Sequence, residues 1–235
     1  MSKKKHPTRG HLPKGLTLLY EDKDILVVDK PAGMLTMGTD TRKTGTAYYL
    51  LTDYVKKGAA KSRNRIFIVH RLDQWTSGVL LFAKSEDVKE RLKDQWKQTE
   101  KKYLAVVHGL WAVKEGVLSS YLAENKAYVV YSTKDPEKGK LAQTAYKVLQ
   151  EIGPFSLLGI TLLTGRKNQI RVQMADCKHP VVGDRKYGKT GGDGFDHLLL
   201  HAKSISFAHP VTGVPLTFEA KVPTYFNDPA KKTGV

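Results

Sequence analysis

A carboxylate, a guanidinium and a turn-forming Ser-Gly pair lie together in His70-Arg71-Leu72-Asp73-Gln74-Trp75-Thr76-Ser77-Gly78, between two apolar runs. The segment reads as an active-site loop. An ionised carboxylate held there has the chemistry of a nucleophile or a base. Asp ahead of Ser and Gly also commonly does no more than hydrogen-bond its own turn, so the residues alone leave both readings open. A second stretch, Gly183-Asp184-Arg185-Lys186-Tyr187-Gly188-Lys189-Thr190, fits the phosphate-loop pattern letter for letter and would suggest a nucleotide triphosphatase. It is set aside because Gly191-Gly192-Asp193-Gly194 follows where a phosphate loop must run into a helix. His197 and His201 have the i, i+4 spacing of a helical metal pair. No glutamate follows His197 and leucines surround the pair, so a buried segment without metal is expected. With Cys177 as its only cysteine, the chain can form neither an internal disulfide nor a thiolate-rich zinc site. Cys177 itself is expected to be a small buried filler.

The runs that must position Asp73 are Ile66-Phe67-Ile68-Val69 and Val79-Leu80-Leu81-Phe82-Ala83, both rich in β-branched and aromatic residues and read as buried strands. Upstream, 16–20 and 25–28 are expected to form a hairpin turning at 21–24. A helix is expected over 46–57 and a flexible basic loop over 58–65. Ser85 is the expected N-cap of a helix running to about Gln98, with Val88, Leu92 and Trp96 as a core-facing stripe. Strand-like content recurs at 103–107, 128–131, 143–149 and 156–163, and a helix opens near Asn168. Strands in adjacent runs with few interspersed helices predict an α+β domain, with a mainly antiparallel mixed sheet flanked by helices and loops. That domain is expected over residues 15–226. Residues 1–14, with Lys3, Lys4, Lys5, Arg9 and Lys14, are expected to be a disordered basic arm, and 227–235 a C-terminal tail.

The 39 Lys and Arg against 23 Asp and Glu give a formal charge of +16, which points to a polyanionic partner. Nucleic acid is the first candidate and an anionic membrane the second. No uninterrupted apolar run reaches the ~20 residues of a membrane span, and the lysine-rich start lacks the apolar stretch of a signal peptide. A soluble, cytoplasmic protein is expected.

His-Arg-Leu-Asp followed by Thr-Ser-Gly and an apolar strand resembles the signature of the RluA-type pseudouridine synthases. Three further stretches resemble that family in the right order. Tyr20 to Gly33 is similar to its opening strand pair and Lys-Pro-x-Gly turn, and Leu163-Thr164-Gly165-Arg166-Lys167-Asn168-Gln169-Ile170-Arg171 to its third motif. His179-Pro180 through Gly183-Asp184 to Tyr187-Gly188 is similar to the loop that follows. Together they cover roughly residues 16–223.

The resemblance implies an α+β catalytic domain that isomerises uridine in ribosomal or transfer RNA, without redox cofactor or metal. It implies Asp73 as the catalytic carboxylate and Arg171 as its charge partner. Tyr103 and Ile170 would pack on either side of the target base, with Tyr103 able to relay the proton leaving carbon 5. Arg71 falls where an arginine can fill the gap left by a flipped nucleotide, and Arg166, Asn168 and Gln169 are further expected substrate contacts. Two positions depart from the family: Asn168 stands where a His is usual, and Gln173 where another is common. Both keep hydrogen-bonding capacity but cannot titrate. The 14 residues ahead of the domain are too few for the small RNA-binding module that relatives often carry, so arm and domain surface are expected to bind RNA. A monomer that uses no nucleotide triphosphate is expected. The alternative is an RNA-binding protein or RNA-folding chaperone on the same fold with little catalytic output.

Overall fold

Apolar runs without polar alternation form strands buried on both faces, and the run after Asp73, Val79 to Ala83, does so, whereas the expected buried strand over 66–69 shortens to Phe67–Ile68, both half-buried. The computed structural model describes residues 12–57, 59, 61–188 and 194–226. In chain order the elements are β1 (Thr17–Glu21), β2 (Ile25–Lys30), α1 (Ala47–Lys56), β3 (Phe67–Ile68), β4 (Ser77–Ala83), α2 (Glu86–Asp94) and β5 (Glu100–His108). There follow β6 (Glu115–Glu124), β7 (Val130–Thr133), β8 (Lys140–Ile152), β9 (Phe155–Leu162), α3 (Gln169–Asp176), β10 (Leu200–Ala208) and β11 (Pro215–Glu219). All the strands belong to one sheet, ordered β1-β2-β4-β10-β5-β9-β8-β6-β7, with β3 paired to β4 and β11 to β10. Every pairing is antiparallel except β4 with β10. The α+β expectation holds.

The two faces of the sheet carry separate cores. Leu26, Val28, Leu80 and Phe82 pack with Ala47, Leu51 and Val55 of α1 on one face. Ile25, Val27, Val79 and Leu81 alternate with them and pack with Val88 and Leu92 of α2 on the other. In the second half Ala105, Val107, Leu158 and Ile160 pack beneath Ile170 and Met174 of α3. Tyr103 packs against both the α1 core and the α3 core, at the seam between them. The seam follows the parallel join, where Ser77 lies beside His201 and Gly78 beside Ala202, which also pairs with Tyr103. Gly78 has φ +113, and a Cβ there would stand 2.2 Å from the Ala202 carbonyl oxygen, so the close approach requires glycine.

Helix starts follow from their caps. Thr46 accepts from the Tyr49 N–H and Ser85 from the Val88 N–H. The helix begun at Ser85 ends at Asp94 instead of reaching 98. Gln95 turns out of helical geometry and donates to the Ala208 carbonyl, and Trp96 meets the same core from a turn. The strands β6, β10 and β11 lack the continuous β-branched runs of their neighbours. In particular, the His197 to His201 stretch leads into β10 and has no helical spacing. His201 is buried and hydrogen-bonds Ser77 Oγ at 2.9 Å, and His197 stacks on Tyr225. Cys177 caps the end of α3 and is half-buried against the α3 core. The expected basic arm lies outside the described residues except for 12–14, and the expected tail 227–235 lies wholly outside them. No described helix is long and apolar enough to cross a membrane.

Candidate active site

Asp73 sits in the connection from β3 to β4, and the preceding sequence motifs exist to hold that connection. Thr36 Oγ1 accepts from the Leu72 N–H at 3.1 Å and donates to the Leu72 carbonyl at 2.8 Å. Lys30 is fully buried, and its ammonium donates to the carbonyls of Pro31, Met34 and Gln74 at 2.9, 2.8 and 3.2 Å. Burial pulls the Lys30 amine down to about 7, opposed by the Asp73 and Asp29 charges. Gly33 donates to the Gln74 carbonyl, and the Gln74 amide donates back to the Gly33 carbonyl. His70 is held near 3 by burial and by Lys101, so it stays neutral and accepts from the Leu81 N–H at 3.0 Å. The Lys-Pro-x-Gly turn and His70 are thus braces for the loop.

Arg171, on α3, donates to Asp73 Oδ2 from Nη1 at 3.0 Å and grips Asp184 with Nε and Nη2 at 2.7 and 2.8 Å. The Asp184 carboxylate is wholly buried and also accepts from the Lys186 and Tyr187 N–H groups. Burial alone would lower the Arg171 guanidinium, but the Asp184 and Asp73 charges outweigh it and hold it above its ordinary value. Asn168 completes the ring around Asp73. The Val130 N–H donates to the Tyr187 hydroxyl oxygen, leaving the hydroxyl proton for Asn168 Oδ1 at 2.8 Å. That turns the Asn168 amide nitrogen toward Asp73, 2.8 Å from Oδ2 and 3.1 Å from Oδ1. The Asp73 side chain remains about a third open to solvent, at 32%.

A pocket of about 70 Å³ lies over this carboxylate. All eight residues singled out from the sequence line it: Asp73, Tyr103 and Arg171, with Arg71, Arg166, Asn168, Gln169 and Ile170. Burial first, and the Asp73 charge second, raise the Tyr103 phenol above its ordinary value, so it is protonated at neutral pH. Gln169 is engaged by the protein itself, donating to Gln143 and Thr144 and accepting from Thr164 and the Arg166 N–H. Gln173 lies away from the pocket and ties α3 to Ser120, Ala142 and Thr144.

Sequence reasoning missed the apolar walls Leu72, Leu162 and Leu200, and it assigned no part to Asp184. The Gly-Asp-x-x-Tyr-Gly stretch was the available signal. Gly183 has φ +76, and a Cβ there would stand 1.9 Å from the His197 carbonyl oxygen. This turn, shaped to aim Asp184 at Arg171, accounts for letters that also spell a phosphate loop. Among the described residues the group with metal-like spacing is Asp22, Asp24 and His209. His209 Nδ1 accepts from two N–H groups, so Nε2 carries the proton and donates to Asp22 at 3.0 Å. Asp22 and His209 are thereby tied to each other and to the fold, while Asp24 Oδ2 is buried without a hydrogen-bond partner among the described residues.

Residues 24–176 match the family model described as RNA pseudouridylate synthase. The chain belongs to the RNA pseudouridylate synthase family. It is 35% identical over 225 residues to ribosomal large subunit pseudouridine synthase C of Buchnera aphidicola subsp. Schizaphis graminum, covering 90% of this chain and 68% of that one. It is 33% identical over 227 residues to tRNA pseudouridine synthase C of Haemophilus ducreyi, covering 87% and 90%. The solved structure of human RNA Pseudouridylate Synthase Domain Containing 4 superposes with a TM-score of 0.75 at 22% identity, covering 90% of each chain, and shows the fold. As an RNA pseudouridine synthase the chain is a cofactor-independent isomerase of RNA uridine.

Proposed function

We propose that this enzyme converts uridines of ribosomal or transfer RNA to pseudouridine with Asp73 as its catalytic carboxylate. The observation that carries the reading is the convergence of Asp73, Tyr103 and Arg171, from three separate elements, on one pocket. The relatives named for ribosomal and transfer RNA support both substrate classes. The target nucleotide is extruded from its RNA into the pocket, and Arg71 at the rim fills the vacated space or contacts phosphate. The uracil lies between Tyr103 and Ile170, with Arg166 and Asn168 beside it and Gln169 holding the Arg166 backbone.

Asp73, held in place by Arg171 and the Asn168 amide, attacks the ribose or the base. The bond from N1 to C1′ breaks, the uracil turns, a bond from C5 to C1′ forms, and the bond that Asp73 made to the substrate breaks to restore the free carboxylate. The proton on C5 leaves while N1 gains one, so atoms and electrons balance without an oxidant. Tyr103, protonated beside the Asp73 charge, is placed to relay that proton. The folded domain over 15–226 works as a monomer in the cytoplasm. The test is tritium release from RNA labelled at uridine C5, which the purified protein should catalyse. Absence of release from total cellular RNA would contradict the reading.

Tyr103→Phe keeps the ring and loses only the hydroxyl. Turnover is expected to fall roughly 10²-fold, within the range of general acid–base catalysis, while RNA affinity is unchanged. Single-turnover tritium release together with a filter-binding isotherm separates the two. Undiminished turnover would leave Tyr103 as a packing residue.

A further inference from the structure

Beside the catalytic pocket runs a groove of about 870 Å³, an order of magnitude larger, which shares Arg71, Leu72, Asp73, Asn168 and Arg171 with it. Two large aromatic side chains line this groove without being buried in it. Tyr128 is 73% exposed and Trp75 44% exposed. The Trp75 ring rests on Gly33, 3.4 Å from where a Cβ would stand, and turns its remaining surface outward. Tyr128 is displayed by a built turn between β6 and β7. Asn125 Oδ1 accepts from the Ala127 and Val129 N–H groups at 3.0 Å, and the Asn125 carbonyl accepts from Tyr128 at 2.9 Å. The turn holds Tyr128 at φ +59, a conformation unfavourable for an aromatic residue. Lys167 Nζ, ion-paired with Glu124, stands 5.5 Å from the ring centroid, and Lys186 donates to the Tyr128 carbonyl at 3.0 Å.

An open aromatic face with cations around it fits a nucleobase and its phosphate, since bases of any sequence offer a π-face. Arg71 and Arg185 extend the positive lining, but Asp40 and Asp196 also lie along it. Those carboxylates disfavour a purely electrostatic backbone track, so base stacking has to contribute. A duplex keeps its bases stacked inside and presents no such face. We propose that the groove holds unpaired nucleotides flanking the target uridine, with Tyr128 as the platform on which one of them stacks. The inference rests on RNA being the substrate, and it names the strand state that the enzyme recognises next to its target.

The test uses an oligouridine strand carrying one 2-aminopurine, whose fluorescence is quenched by stacking, free or annealed to its complement. The wild-type protein is expected to bind the single strand and quench it. Tyr128→Asn removes the ring at a position whose backbone Asn tolerates, so the turn survives. It should lose the quenching and bind the single strand about tenfold more weakly, the scale of one lost stacked base. Tyr128→Phe should behave as wild type, and duplex binding should not respond to either change. Equal affinity and quenching in wild type and Tyr128→Asn, or an equal loss on the duplex, would overturn the proposal. The readout is binding without turnover, so its outcome is independent of whether Asp73 carries the reaction.

Discussion

Asp73→Asn is expected to abolish pseudouridine formation, with a loss on the order of 10⁴-fold or more, as for removal of a central nucleophile or base. The substitution preserves size and part of the hydrogen bonding, and removes the charge that must attack. Its structural effect should be small. The Asp73 side chain is 32% exposed, so its pairing with Arg171 is partly screened by solvent, and Arg171 keeps its two bonds to Asp184. A melting temperature within a few degrees of wild type and unaltered RNA affinity are expected alongside the lost activity. Pseudouridine formation near the wild-type rate would remove Asp73 from the chemistry.

Arg171→Ala is expected to damage both function and fold. The Asp184 carboxylate is wholly buried, and deletion of its guanidinium partner leaves it, among the described residues, with only the two backbone N–H donors. Removing one member of a buried ion pair costs about 3–5 kcal/mol, and the lower figure corresponds to roughly 6–12 °C in a chain of this size. Asp73 simultaneously loses the cation that fixes it. Arg171→Lys separates the two effects, because a lysine restores charge but cannot form the fork that spans both carboxylates. It should recover part of the melting temperature and little of the activity. A normal melting temperature and normal rate in Arg171→Ala would show that the bridge has neither role.

The parts of this molecule legible in its sequence are those with local causes. The strands of residues 25–28 and 79–83 follow from uninterrupted apolar runs, and the helices after Thr46 and Ser85 from capping side chains that accept from the third residue on. Strand β6, with Gly116, Ser119 and Ser120, and strand β10, with Lys203 and Ser204, owe their form to neighbours far away in the chain. Pairing across the sheet overrides their weak local preference. The same division holds at the site. Asp73, Tyr103 and Arg171 stand in motifs that can be read along the chain, whereas the bridge from Asp73 through Arg171 to Asp184 exists only once the β3–β4 loop, α3 and the turn after Val182 meet. Asn168 carries no titratable group, yet its amide reaches both oxygens of Asp73.

The most direct test of the central claim is a map of pseudouridines in ribosomal and transfer RNA from three otherwise identical strains. One makes the wild-type protein, one makes Asp73→Asn to the same level, and one makes neither. The account predicts one or a few positions that are pseudouridine with the wild type and uridine in both other strains. Identical maps in all three, or the same positions modified with Asp73→Asn, would contradict it.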